Sequence, residues 1–431
     1  MWALDAEFRK LRLIVKVDPF YHLEFVRYLE MNIIFGIDVS SRSSNVCVLL
    51  GDTKQEFKIT NDTTGFNLLL KNLKVFAEHP QIIFEATGVY SRRLESYLTD
   101  YHYEYVVINP LKAKKEMDNG LRHNKTDRTD AYNLARIQLL NHHQPNEAYH
   151  QLKALSRSYE ELTHDIVTGK NRLHRILQLT FPELEHVVTH PKGENYWNLV
   201  KLFPHCQSVR ELEVSDIIEM IKDFKGYGTK RAQKIANKLK ELADLAYPVA
   251  NQNSPETDDA IYYAKRLLQL DKDRNKRLTE MLKLARSLDN HDLEILMSIP
   301  GFAETTAVRV LAELGDIRRF DNPNKIDAFI GIDPGRYQSG EMDSHLGITK
   351  HGNAIARKIL YRSIGQIDQA AKFYSCHIAE YYESKKSSQT KGFKKIAIAS
   401  VHKLVRTIFV LIKNDQLYDY KIAKQNQRHK M

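Results

Sequence analysis

Two short apolar runs, 32–39 and 81–85, each carry a carboxylate at the end, Asp38 in the first and Glu85 in the second. Runs of this length, rich in β-branched and aromatic residues and bounded by polar turns, read as strands. After the first comes a polar turn at 40–45, a second strand at 46–50, the hairpin turn Gly51-Asp52 and a third strand at 56–60. Asn61-Asp62-Thr63-Thr64 then caps a helix whose apolar stripe is Phe66, Leu69, Leu70 and Leu73. A helix through Leu94 and Leu98 follows the 81–85 strand, and a fifth strand at 103–109 is closed by Pro110. Three hairpin-linked strands followed by alternating helix and strand give the order of an RNase H-like fold. Open sheets gather their chemistry at strand ends, so Asp38 and Glu85 are expected to share a site.

The run Lys125-Thr126-Asp127-Arg128-Thr129-Asp130-Ala131 supplies two more carboxylates at the head of a helical pattern. Positions i and i+3 share a helix face. A carboxylate pair bracketed by Lys125 and Arg128 suits a divalent metal that must also meet a phosphate. The plainer reading is an acidic first turn favoured by the helix dipole. With Asp38 and Glu85, four carboxylates can converge from three elements.

The rest of the chain is mostly helical, which makes the fold class α/β plus all-α. A helical repeat runs from Leu152 to Leu177, and another from 258 to 288, around a smaller helical block at 191–256. The flanking helices predict an antiparallel hairpin or coiled coil, serving as a spacer or as a dimerising or RNA-gripping arm. Ile299-Pro300-Gly301 between two helices resembles a helix-hairpin-helix, which turns backbone N–H groups toward DNA phosphate. A glycine-rich loop at 329–341 presents Ser339, and Arg336, Lys350, His351 and Arg357 are expected to form a basic rim around it. The expected boundaries are an N-terminal extension at 1–31, a first domain at 32–149, a helical region at 150–290, a serine-containing domain at 291–413 and a basic tail at 414–431. Residues 1–31 read as an extension upstream of a natural start at Met31, or as a short N-terminal helix.

The formal net charge of +10 favours a polyanionic partner, nucleic acid first. No apolar run is long enough to span a bilayer, and Cys47, Cys206 and Cys376 lack metal-ligand spacing and read as reduced cytosolic thiols.

Gly36-Ile37-Asp38-Val39-Ser40, Phe84-Glu85-Ala86-Thr87-Gly88-Val89-Tyr90, Asn109-Pro110 and 125–131 together resemble the DEDD transposases of bacterial insertion sequences. Ile299-Pro300-Gly301 through Gly340, with Lys350-His351-Gly352-Asn353, resembles the serine-containing second domain of that family, a group of bridge-RNA-guided recombinases. The resemblance covers about residues 32–413. It implies a RuvC-like first domain with metal ligands at Asp38, Glu85, Asp127 and Asp130 for Mg²⁺ or Mn²⁺, and a nucleophile at Ser339, with Ser344 close by. It also implies element-end and target DNA as substrates, a structured guide RNA, a dimer or tetramer, and a place in the bacterial cytoplasm at the nucleoid. Lys125, Arg128, Arg336, Lys350 and Arg357 are candidate nucleic-acid contacts.

A serine fits strand exchange, because a phosphoserine conserves the ester energy that water would discard. The alternative is a RuvC-like metal-dependent nuclease or junction resolvase in which water attacks. An actin-like ATPase has no place for Asp127 and Asp130. A non-catalytic DNA-binding protein would not keep an acidic cluster that repels its ligand.

Overall fold

A computed structural model describes residues 33–50, 53–75, 80–108, 127–136, 147–189, 191–288, 290–339, 342–388 and 392–428. The extension expected at 1–31 lies outside the described residues. The chain forms two compact units, Met1–Pro145 and Asn146–Met431.

In the first unit, β1 (Ile33–Val39), β2 (Ser43–Leu50) and β3 (Thr53–Thr60) precede α1 (Thr63–Leu73), β4 (Gln81–Glu85), α2 (Ser91–Asp100), β5 (Tyr105–Ile108) and α3 (Asp127–Arg136). The sheet order is β3-β2-β1-β4-β5. The first three strands form an antiparallel meander, and β4 and β5 run parallel to β1. Strand β2 starts earlier than the sequence predicts, because its polar opening is satisfied inside the unit. Ser44, fully buried, donates to Asn61 Oδ1 at 2.6 Å, and Asn61 Nδ2 donates to the Ser40 carbonyl at 2.6 Å. A buried hydroxyl with a partner costs little, so the turn tightens and the strand lengthens.

Side chains alternate across the sheet. One face puts Phe35, Ile37, Val39, Ile82 and Phe84 against Phe66, Leu69 and Leu73 of α1 and Leu94 and Leu98 of α2. Each fully buried side chain of this kind contributes about 1.5–3 kcal/mol. The other face puts Ile34, Ile83, Val106 and Ile108 against Leu134 of α3.

The second unit is built on two long helices, α4 (Glu147–Thr180) and, after an insert, α8 (Pro255–Arg286). They pair antiparallel. Arg274 lies 5.9 Å from the Tyr159 ring, Arg172 lies 5.9 Å from the Tyr263 ring, and Leu267 sits against Gly169. The insert carries α5 (Glu194–Leu202), α6 (Val214–Ile221) and α7 (Thr229–Leu245), which close a core around Trp197, Leu199 and Leu239. In α7, Ala232, Ile235 and Leu239 face that core while Lys230 and Lys234 are exposed.

The remaining elements are α9 (Asp292–Met297), α10 (Glu304–Leu314), α11 (Pro323–Ile330), β6 (Pro334–Ser339), β7 (Met342–Ile348), α12 (Ala354–Ala370), α13 (His377–Ser387), α14 (Phe393–Lys413) and α15 (Tyr420–Arg428). Their core includes Leu311, Ile330, Leu360, Ile364, Leu404 and Ile408. Buried Asp292 accepts from Arg318 Nη1 on both carboxylate oxygens, at 2.7 and 2.8 Å. Gly301 turns the chain between α9 and α10 at φ +89°, and a Cβ there would stand 2.7 Å from the Gln366 backbone. That turn is therefore packed on α12.

Within the expected basic tail, α15 is held to the rest of the unit by side-chain contacts. Tyr420 pairs with Glu380, and the Tyr418 hydroxyl bonds His377 Nδ1 at 2.8 Å. His377 Nε2 lies 3.2 Å from Thr407 Oγ1. Burial, with the Lys403 cation adding to it, pushes the His377 imidazolium down to about 4, against a smaller opposing pull from Glu380. An unfolded histidine titrates near 6.5. Between those values the unfolded chain binds a proton that the folded chain refuses, so stability falls as pH drops from 6.5 toward 4. The loss is on the order of 3 kcal/mol. Urea midpoints at pH 7 and pH 4.5 are expected to differ more in the parent than in His377→Gln. Equal differences would show that His377 does not carry this acid sensitivity.

Candidate active site

The β1–β4 pairing runs through Gly36↔Ile83 and Ile37↔Phe84. One step further along the same register sets Asp38 beside Glu85, at the ends of neighbouring parallel strands. Both share a strand face with Gly36 and Ile83, two residues earlier in each strand.

That is the face α3 covers. A Cβ on Gly36 would stand 2.2 Å from the Ala131 carbonyl oxygen and 2.5 Å from Ala135 N. Glycine inside a strand commonly marks such a close approach, and here it lets the α3 backbone lie on the sheet. Ala131, Leu134 and Ala135 are buried beneath the helix. Asp127 and Asp130 stand one turn earlier along that stripe, i−4 from Ala131 and i−4 from Leu134. Asp38, Glu85 and Asp130 are half-buried. Nearby, Thr87 Oγ1 is buried without a partner among the described residues.

Lys125 and the side chains of Asp127 and Arg128 lie outside the described residues. Among the described residues, no three His, Cys, Asp or Glu side chains stand close enough to hold a metal ion, and the Asp127 side chain is not in that set. The donor chemistry suits a hard divalent cation, since carboxylate oxygens are its preferred ligands. The glycine cradle brings the helix that carries two of them onto the sheet that carries the other two.

Ser339 ends β6 and pairs with Met342 across an antiparallel hairpin, and Ser344 pairs with Tyr337. Of the segment expected as a glycine-rich loop, residues 329–339 are therefore the end of α11, a turn at 331–333 and a strand, and residues 340–341 lie outside the described residues. The side chains of Arg336, Ser339 and Ser344 lie outside the described residues. Lys350 (φ +57°) and Arg357 sit at the root of the hairpin, where Arg357 Nη1 donates to the Ile330 carbonyl at 2.6 Å. At about 3.3 Å per residue, that root is roughly 16 Å of strand from Ser339. The basic rim expected around Ser339 is thus not formed by Lys350, His351 and Arg357 along this hairpin. A paired ribbon separates root from tip, and these residues brace the root instead.

Sequence reasoning missed two polar layers behind the root, one buried and one partly exposed. Glu313, fully buried, accepts from Ser156 and Asn353, each at 2.8 Å. Glu160 pairs with Arg309 at 2.5 Å and with Lys358. Burial alone would push the Glu160 carboxyl up, yet the Lys358 and Arg309 cations hold it below the usual range. A glutamate inside Ala307–Leu314 carries no signal in the sequence that its partners lie on α4 and before α12. The basic stretch Lys385–Lys395 leads into α14, and no Asp or Glu stands between Glu383 and Asp415.

Among the described residues, no helix is long and apolar enough to cross a membrane. Residues 35–182 match the DEDD-type transposase family associated with IS110, and residues 293–382 match the "Transposase IS116/IS110/IS902 family". The transposase for insertion sequence element IS1111A of Coxiella burnetii is 28% identical over 134 residues, 30% of this chain and 35% of that protein. The pilin gene-inverting protein of Moraxella bovis is 22% identical over 401 residues, 90% of this chain and 98% of that protein. The mini-circle putative transposase for IS117 of Streptomyces coelicolor is 24% identical over 337 residues, 72% and 78% of the two chains. Both matched segments fall where the carboxylate motifs and the serine hairpin stand, and the chain belongs to the IS110-type family of insertion-sequence transposases, which are DNA recombinases.

Proposed function

We propose that this transposase cuts and rejoins element and target DNA with a metal site on Asp38, Glu85, Asp127 and Asp130 and a serine nucleophile at Ser339. The observation that carries the reading is the adjacency of Asp38 and Glu85 on the sheet face that α3 covers with Asp127 and Asp130 in its first turn. The meander followed by parallel β4 and β5 supports an RNase H-like, RuvC-like assignment for 32–149. By the same proposal, 150–290 is a coiled-coil arm, and 291–413 is the serine domain with a helix-hairpin-helix at its start.

When bound, Mg²⁺ or Mn²⁺ supplies positive charge at the non-bridging oxygens of the scissile phosphate. The chain's own groups do the rest. Asp38, Glu85, Asp127 and Asp130 would hold the cation at the sheet end. Ser339 Oγ forms a bond to phosphorus as the bond to the departing sugar oxygen breaks, and the serine proton passes to that oxygen. The ester energy stays in the phosphoserine until a new strand's hydroxyl attacks and frees the serine. Arg336, Lys125 and Arg128 offset phosphate charge.

Sequence choice is assigned to a structured guide RNA, so that base pairing reads sequence while the protein reads backbone and shape. The net charge of +10 and the acid-free stretch after Glu383 support polyanion binding. The working form is a homo-oligomer in the bacterial cytoplasm. Incubation with cognate element DNA and guide RNA is expected to give cleavage with Mg²⁺ and none with EDTA, restored by adding back metal. Full cleavage in EDTA would overturn the metal assignment.

A further inference from the structure

The ribbon that carries Ser339 does not end where its strands end. Below the last strand pair, Pro334↔Ile348, Thr349 N donates to the Asp333 carbonyl at 3.0 Å and Thr349 Oγ1 donates to Asp333 Oδ1 at 2.6 Å. Lys350 N donates to the Gly331 carbonyl at 3.0 Å, and Asn353 N donates to the Phe329 carbonyl at 2.8 Å. Two glycines permit this crossing of chains. Gly331 (φ +70°) and Gly352 (φ +125°) would each place a Cβ within 2.3 Å of a carbonyl oxygen, that of His351 and that of Phe329. The ladder therefore reaches from the hairpin tip to Asn353.

Asn353 has two jobs. Its Oδ1 accepts from Ile355 N and Ala356 N, each at 3.1 Å, and so starts α12. Its Nδ2 enters the core and donates to the Glu313 side chain at 2.8 Å and to the Glu313 carbonyl at 3.1 Å. The other Glu313 oxygen accepts from Ser156 Oγ on α4 at 2.8 Å. One turn along each helix, Glu160 of α4 pairs with Arg309 of α10 and Lys358 of α12. Three helices are thus tied by two stacked polar layers at the level where the hairpin leaves the core.

A carboxylate with 1% exposure is a poor choice for stability alone, because an apolar side chain of similar volume usually serves at least as well. What it offers is direction, since both oxygens must be met by donors at fixed places. We propose that Glu313 is a positioning residue, fixing the root of the serine hairpin to the long helix α4 through Ser156 and Asn353. The link to catalysis rests on the reading of Ser339 as nucleophile, while the positioning itself does not.

The test separates the two. Cys47, Cys206 and Cys376 are all buried, so thiols introduced at Gln338→Cys on the hairpin and Glu161→Cys on exposed α4 can be spin-labelled selectively in the folded full-length protein. The label-to-label distance distribution is expected to be narrow in the parent, broadened or shifted in Glu313→Ala and in Ser156→Ala, and restored in Glu313→Gln, whose amide can meet both partners. In unlabelled protein with DNA and RNA, covalent adduct formation is expected to fall about tenfold or more in Glu313→Ala and Ser156→Ala, with DNA binding unchanged. It should return to near the parental rate in Glu313→Gln. If Glu313→Ala does not fold, Ser156→Ala decides, because it removes a single hydroxyl from a buried helix face. An unchanged distance distribution in a folded variant overturns the positioning role, even if adduct formation falls. A parent that forms no adduct overturns the serine reading and leaves the distances to judge Glu313.

Discussion

Gly36→Val is expected to abolish DNA cleavage while leaving the second unit folded. Even a Cβ at position 36 would lie 2.2 Å from the Ala131 carbonyl oxygen, 2.5 Å from Ala135 N and 2.8 Å from Ala135 Cβ. Two of those atoms are helix backbone, which cannot rotate away as a side chain would. The helix must lift or slide, and Asp127 and Asp130 move with it. Overpacking of this kind costs about 1–3 kcal/mol or more. A displacement of about 1 Å in a catalytic constellation costs on the order of 100-fold in rate. Gly36→Ala should show the same defect at lower severity. Single-turnover cleavage, read beside the near-ultraviolet signal of Trp197 in the second unit, separates a local from a global loss. Parental cleavage by Gly36→Val would mean that the position of α3 on the sheet does not matter to the chemistry.

Much of the first unit was legible in the sequence because its signals are local. Alternating apolar runs and the cap at Asp62, which accepts from Gly65 N at 3.0 Å, each act over a few residues. The i, i+3 spacing of Asp127 and Asp130 needed only helix geometry. The extra length of β2 was not legible, because Ser43, Ser44 and Asn45 read as a turn until the Ser44–Asn61 bond is known. The role of Gly36 was also hidden. A glycine in a strand run gives no sign of which helix comes down on it, and α3 arrives almost 100 residues later.

In the second unit the helical periods of α4 and α8 fix the long elements, but the sequence predicts a loop where the serine hairpin stands. Pro334, Gly335 and Gly340 look like turn punctuation in the sequence, whereas the pairing of Pro334 and of Arg336 to Ser339 depends on residues 342–348. The expected basic rim rests on closeness in sequence, whereas an extended ribbon carries the Ser339 backbone away from Lys350 and Arg357. Ser156 and Glu313, 157 positions apart, meet only because α4 and α10 pack together, and no pattern within either helix announces it.

Transesterification through Ser339 leaves a covalent DNA–protein intermediate that can be captured. End-labelled element DNA, guide RNA and Mg²⁺ are incubated with the protein, and the products are run on a denaturing gel and digested for mass spectrometry. A DNA–protein adduct is expected, with the phosphodiester on Ser339. Ser339→Ala should bind DNA and RNA as the parent does and form no adduct, a loss of at least about 1000-fold in strand cleavage for removal of a nucleophile. Ser344→Ala should keep the adduct. Hydrolysed ends without an adduct would leave a metal-dependent nuclease that uses water, and an adduct that persists in Ser339→Ala would place the nucleophile on another residue.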